Sequence, residues 1–238
     1  MRCCCRLAAV ALITLRSAWS LSTPKIEVER KFAPPASVEE LREKVVLMGG
    51  EALGESTFRD AYYDTKACDL ARRDMWLRKR AGTWELKAPP RGVASADRSG
   101  GERTNFEEVL GAPAILAVLA DRLPTLFQND YDMDTVLLRA QCDVFAEFDT
   151  TRATFRLREC AVDVDRASFG YGVMEIERLV DVPDDIPQAH QSIQRIADLL
   201  GATPFAPESG GKLEVYIRRY CPTVLEILSD HGILSPTD

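Results

Sequence analysis

Three pairs of acids recur at alternate positions, Glu27/Glu29, Asp163/Asp165 and Glu175/Glu177, and two basic sets keep to one parity, Arg78/Arg80 two residues apart and Arg152/Arg156 four apart. Alternate residues of one strand point the same way and lie ~7 Å apart. Like charges held so close cost free energy unless an opposite charge or a ligand lies between them. Carboxylate pairs are hard oxygen donors suited to Mg²⁺ or Mn²⁺. Guanidinium and ammonium groups are donors suited to phosphate oxygens. The two sets together describe a site for a divalent cation and a polyphosphate. The plain alternative is that each polar face meets water, as antiparallel sheets commonly allow. Segregation by sign argues against it, because solvated faces mix acids with bases.

Composition narrows the chemistry further. The chain has 238 residues, is 46% apolar and 28% charged, and carries a net charge of -7 from 30 bases and 37 acids. That is a globular composition, and it speaks against sequence-independent nucleic-acid binding. His190 and His231 are the two histidines, too few for a histidine-centred metal or acid/base site. Of seven cysteines, three crowd at Cys3, Cys4 and Cys5, while Cys68, Cys142, Cys160 and Cys221 lack the close pairing of a zinc site. Neither a disulfide framework nor structural zinc is expected. Catalysis must run on carboxylates, lysines, arginines and tyrosines.

These residues need strands to position them. IEVERKF alternates from Ile26 to Phe32, with Glu27, Glu29 and Lys31 on one face. Further strands are predicted at Thr57–Asp64, Met75–Arg80, Thr83–Ala88, Asn105–Leu110, Val144–Arg158, Ala161–Asp165 and Val173–Val180. Trp76, Arg78 and Arg80 share one parity, as do Glu85 and Lys87, and Arg152, Arg156 and Arg158. Ala81-Gly82 makes a tight connection. Ser37 and Glu40 form a capping box before a helix with Val38, Leu41, Val45 and Met48 on one side, stopped by Gly49 and Gly50. Helical patterns also run over Ala112–Leu123, Pro187–Gly201 and Lys212–Ser229. Pro89–Thr104, rich in Gly, Ser, Pro and Arg, reads as a mobile loop. An eight-stranded barrel can hold one small ligand. The expectation is therefore an α+β fold: an antiparallel eight-stranded β-barrel turned inside out, with a charged lumen and helices packed outside.

Residues 1–22 hold Arg2, Arg6 and Arg16, no acid, and the run LAAVALITL, too short to span a bilayer. A secretory signal, an organellar transit segment and an unstructured tail all fit, which leaves localisation between cytoplasm and organelle. The barrel domain is expected over 24–221, followed by a helix and tail over 222–238.

The ordered stretches IEVERKF, FRDAYYDT, MWLRKR, WELK, FDTTRATFRL, VDVDRASFGYGVMEIE and GKLEVYI resemble the CYTH superfamily of triphosphate tunnel metalloenzymes, over about Ile26 to Tyr220. They are most similar to its thiamine triphosphatase branch. An ExExK match alone is weak; seven matches in order are specific. The resemblance implies a tunnel that binds a triphosphate substrate and a divalent cation, Mg²⁺ or Mn²⁺, and hydrolyses the terminal phosphoryl group. Glu27, Glu29, Asp163, Asp165, Glu175 and Glu177 fall on the family's acidic positions, and Glu108 on another. Lys31, Arg78, Arg80, Arg152 and Lys212 fall on its basic positions, and Arg156 where relatives carry a base. Glu27 and Glu29 are expected nearest the principal ion. Asp165 and Glu177 are placed evenly between ligation and outer support.

Lys87 resembles the family's general base. That role needs its pKa lowered by burial or by Arg78 and Arg80; the alternative is a phosphate clamp, with metal-bound hydroxide as nucleophile. Tyr62 is expected to share the proton path by hydrogen bonding to Lys87, or to pack in the core. Trp76 is expected to stack on a thiazolium ring, or to cap the tunnel. An inorganic or nucleoside triphosphatase, an adenylyl cyclase of the same superfamily and a nonenzymatic polyphosphate-binding module are the alternatives. The expected partner is a small-molecule triphosphate met by a monomer, with no nucleic acid and no stable membrane span.

Overall fold

The computed structural model describes residues 25–90, 103–127, 132–206 and 210–234, with the side chains of 103–105 excepted. The amino-terminal segment, Cys3 to Cys5 and most of the predicted mobile loop therefore lie outside the described residues. The strands are β1 (Lys25–Phe32), β2 (Glu51–Thr65), β3 (Trp76–Arg80), β4 (Thr83–Ala88), β5 (Arg103–Leu110), β6 (Cys142–Leu157), β7 (Cys160–Ala167) and β8 (Tyr171–Val180). They close into one antiparallel barrel in the order β1-β5-β4-β3-β2-β6-β7-β8, with β8 paired back to β1.

The helices among the described residues are α1 (Val38–Leu47), α2 (Ala112–Arg122), α3 (Met133–Ala140), α4 (Ile186–Leu200), α5 (Lys212–Tyr220) and α6 (Pro222–Asp230). They bury the outward strand positions. Ile26, Val28 and Phe32 of β1 join Phe155, Val162 and Ile176 under Leu41 and Val45 of α1 and Ile193 and Ile196 of α4. Leu77, Leu86 and Val109 pack under α2 and α3 through Ile115, Leu119, Val136 and Leu137. The apolar cores thus lie outside the barrel wall, which leaves the inward parity to charge.

The differences from the predicted elements have local causes. β2 starts at Glu51 rather than Thr57, because its exposed polar end pairs with the far part of β6 through an irregularity at Gly54, whose φ is +115°. β5 takes in Arg103 and Thr104, which the predicted loop included. β6 ends at Leu157, so Arg158 sits in the turn at φ +55° and not on the Arg152 face. The predicted helix from Lys212 to Ser229 is two helices, because Pro222 lacks an N–H and forces Cys221 to φ -126°, ψ 63°. Ala81 and Gly82 do form the tight β3–β4 turn, both at positive φ.

At one end the barrel is plugged. Leu213, Val215 and Tyr216 of α5 pack on Tyr62, Ala146, Phe148, Tyr171 and Val173. The Tyr171 hydroxyl donates to the Gly210 carbonyl at 3.0 Å, tying β8 to the start of α5. α6 lies against the β2–β3 connection through Leu228, Cys68 and Ala71.

Candidate active site

Register carries one parity around the whole barrel. Glu29 stands opposite Glu177 and Lys31 opposite Glu175; Lys87 pairs with Glu108 and with Trp76, and Arg78 with Glu85 and Tyr62. Asp60 pairs with Arg80, Arg152 with Asp165, and Asp163 with Glu175. Because the side-chain period of a strand is two, each match fixes the next. The predicted acids and bases thus enter one lumen.

Inside it they form three groupings. The first is a carboxylate triad: one oxygen from each of Glu27, Glu29 and Glu177 lies within 4.8 Å of the others. Glu27 and Glu29 are nearly closed to solvent. Burial first, and then Glu27, push the Glu177 carboxyl up to about 9. Lys87 Nζ bonds to Glu27 and lies 3.9 Å from Glu29, while Lys31 Nζ bonds to Glu29 and lies 4.0 Å from Glu175. Glu108 completes this side, its carboxyl raised by burial and by Glu27.

In the second grouping the Arg152 guanidinium forks into three acids. It donates to both Asp165 oxygens at 2.6 and 2.7 Å, to Asp163, and to Glu175 at 3.2 Å. Lys212 Nζ adds a 2.6 Å contact to Asp165. Burial alone would raise Asp165, but Arg152 and Lys212 hold it below the ordinary carboxylate range. Asp163 and Glu175 are raised, chiefly by burial. The seven predicted metal residues are therefore divided: Glu27, Glu29 and Glu177 face one another, Glu108 flanks them, and Asp163, Asp165 and Glu175 surround Arg152.

The third grouping sits on β2 and β3. Arg80 donates to both oxygens of Asp60 at 2.6 and 2.8 Å. Arg78 donates to Glu85 at 2.7 Å and to the Tyr62 hydroxyl at 3.3 Å. Tyr62 thus meets Arg78 and is buried with Ala146 and Phe148; of its two expected places, a bond to Lys87 or the core, it takes the core. Lys87 departs from expectation. Burial and Arg78 lower its pKa, but Glu27, Glu29 and Glu108 outweigh them and leave it above its ordinary value. Trp76 donates its indole N–H to Asp74 at 2.8 Å and, like Phe145 and Leu213, packs against the cluster of Cys68, Ala71, Ile217 and Leu228 beside the plugged end. Arg156 keeps the lumen parity but lies exposed toward the other end, opposite Glu51.

Sequence reasoning did not single out Asp60 and Phe58. Asp60 is wholly buried. Both share the parity of Tyr62 in FRDAYYDT, a signal that was readable; Asp60 simply lacks a like-charged neighbour two residues away. Phe148 is also on the inward face, so the plugged end of the lumen is aromatic rather than charged.

The donors suit a divalent cation. Oxygens bound to one Mg²⁺ are at most about 4.2 Å apart, so small rotations of Glu27, Glu29 and Glu177 bring them to one ion. Burial and then the Glu27 charge, which Lys87 does not fully offset, keep the Glu177 carboxyl raised. Cations across the lumen face the same space, so the site combines a hard-cation pole with a polyanion pole. Among the described residues no helix is long and apolar enough to cross a membrane.

The sequence profile of the CYTH domain matches residues 25–205. A thiamine-triphosphatase from Homo sapiens is 36% identical over 208 residues, covering 83% of this chain and 86% of that protein. Two solved structures share the fold. A Pyrococcus horikoshii protein has a TM-score of 0.55 at 22% identity, covering 81% of this chain and 99% of that one. A Hippeastrum protein, described as an adenylyl cyclase candidate with a dominant triphosphatase activity, has a TM-score of 0.50 at 17% identity, covering 81% and 94%.

Proposed function

The chain belongs to the CYTH domain family and is a hydrolase acting on phosphoanhydride bonds, and from that premise we propose that it cleaves thiamine triphosphate to thiamine diphosphate and phosphate with the help of a divalent cation. The observation that carries this reading is the convergence of Lys31, Arg78, Arg80, Lys87, Arg152 and Lys212 on one lumen with the Glu27, Glu29 and Glu177 triad, beside an aromatic end.

Phosphoryl transfer asks the protein for alignment and for charge stabilisation on the transferred oxygens. Arg80, Arg152 and Lys212 would hold those oxygens. Arg78, braced by Tyr62 and Glu85, holds the adjoining phosphate. Glu27, Glu29 and Glu177 would hold Mg²⁺ or Mn²⁺, which supplies charge neutralisation at phosphate oxygens when bound. Asp163, Asp165 and Glu175 keep Arg152 in place and support the second face of the tunnel, with Glu108 beside Lys87.

Lys87 Nζ is the proposed acceptor for the proton of the attacking water, a role that requires the Glu27 and Glu29 charge that raises it to be offset first. The influences that raise it are carboxylates, Glu27 and Glu29 foremost, whereas burial and Arg78 act in the direction a base requires. Trp76 stands opposite Lys87 in register, which supports the reading that its indole stacks on a cationic thiazolium ring.

Phosphate release from thiamine triphosphate, inorganic tripolyphosphate and ATP, each with Mg²⁺, Mn²⁺ or excess chelator, tests the proposal. Thiamine triphosphate should give the highest kcat/KM, and activity should vanish in chelator. Faster turnover of tripolyphosphate or ATP would make the protein a general triphosphatase. Pyrophosphate release would make it a cyclase, and binding without turnover a binding module.

A further inference from the structure

The half-buried ring of Phe58 lies where three elements distant in sequence meet. Arg80 Cζ of β3 lies 4.2 Å from its centroid, Arg152 Cζ of β6 lies 5.7 Å away, and Lys212 Nζ of α5 also lies 5.7 Å away. An aromatic face attracts a cation within about 6 Å, more strongly where water is excluded. All three cations are largely screened from solvent, with side-chain exposures of 16%, 17% and 8%. Three like charges around one point repel, and something must offset that repulsion.

Carboxylates do part of this work: Asp60 holds Arg80, and Asp165 holds Arg152 and Lys212. A carboxylate, however, occupies the N–H donors that a phosphate would use and repels the phosphate as well. The Phe58 ring attracts through its quadrupole, carries no net charge and accepts none of those in-plane N–H bonds.

We propose that Phe58 is a positioning residue for the triphosphate, whose ring gathers Arg80, Arg152 and Lys212 into one array without itself occupying any of the N–H donors that phosphoryl oxygens would take from the carboxylates. The inference rests on the triphosphate reading above. A ring that merely filled space would be replaceable by any apolar side chain of similar volume.

Phe58→Leu and Phe58→Met keep apolar bulk without a π face, and Phe58→Tyr keeps the face. Calorimetric titration with inorganic tripolyphosphate and Mg²⁺ gives Kd, and steady-state hydrolysis of the same compound gives KM and kcat. Both aliphatic variants should weaken binding and raise KM roughly three- to tenfold, with a smaller change in kcat, and Phe58→Tyr should stay near the wild-type values. The loss should also shrink when Arg80→Gln is already present, because one partner of the ring is gone. Wild-type affinity in either folded aliphatic variant overturns the proposal, as does an equal loss in Phe58→Tyr. If the wild type binds tripolyphosphate but hydrolyses none of the three substrates, the hydrolytic reading fails while the Phe58 comparison still stands. If it binds none, both fail.

Discussion

Arg80 and Asp60 face each other across β3 and β2 and close a two-point ion pair at 2.6 and 2.8 Å, with the carboxylate wholly shut off from solvent. Lys212 Nζ, 4.0 Å away, approaches the same acid from the helix that plugs the barrel. One aspartate thus braces two of the cations assigned to the phosphates.

Removing Asp60 should therefore cost stability as well as activity. Asp60→Ala leaves Arg80 buried without its partner, a defect of about 3–5 kcal/mol that lowers Tm on the order of 10 °C. Urea unfolding and thermal melts check this. Burial raises Asp60, but Arg80, Arg78 and Lys212 outweigh it and leave the folded pKa below the ordinary 3.8. The contribution is accordingly complete above that value and is lost as pH falls through the folded pKa. The gap between wild type and Asp60→Ala should narrow in strong acid.

Metal affinity should depend on pH through Glu177. With its carboxyl pushed up to about 9, the neutral form prevails at pH 7, and binding a cation there must release that proton. Mg²⁺ affinity is expected to rise by up to about tenfold per pH unit from pH 7 and to level off above about 9. Calorimetry in buffers of differing ionisation enthalpy counts the proton directly. Glu177→Gln should bind more weakly and flatten the slope. A slope unchanged in that variant contradicts the assignment. The same raised pKa means that the metal-free fold binds more protons than the unfolded chain between pH 4.5 and about 9, so this group's contribution to stability falls as pH rises through that window.

Lys87 separates proton transfer from charge. Lys87→Ala should lower kcat by roughly 10²–10⁴, and Lys87→Arg, which restores the cation but cannot accept a proton near neutrality, should fail to recover it. Single-turnover rates across pH 7–10 measure the effect. Recovery of turnover in the arginine variant would reassign Lys87 as a phosphate clamp.

Trp76 should govern choice of substrate and not the chemical step. Trp76→Ala is expected to reduce kcat/KM for thiamine triphosphate about tenfold more than for inorganic tripolyphosphate, which has no ring to stack. An equal loss on both would leave the indole as a structural cap of the tunnel, held by its bond to Asp74.

Some elements were missed although the chain advertises them. α3 shows Asp132 accepting from the Thr135 N–H at its start, and Met133, Val136, Leu137 and Ala140 buried along one face. That is a capped amphipathic helix eight residues long, short enough to be passed over. The break between α5 and α6 was equally visible in Pro222. The exposed end of β2 was not, because Glu51 to Ser56 carry no apolar alternation and form a strand only against β6.

By itself the sequence determined which side chains share a face, since period two is a local property of an extended backbone, and it determined that the shared faces are charged and sorted by sign. That sufficed for an inside-out barrel and for nearly all of its inward-facing ions. Tertiary structure alone decided which ion meets which. Barrel closure brings β8 against β1 and sets Glu177 beside Glu27 and Glu29; the same register directs Tyr62 to Arg78 and raises Lys87 through carboxylates on a strand sixty residues away. Parity is written along one strand, but Coulomb energy depends on distances between strands, and those exist only once the chain has closed.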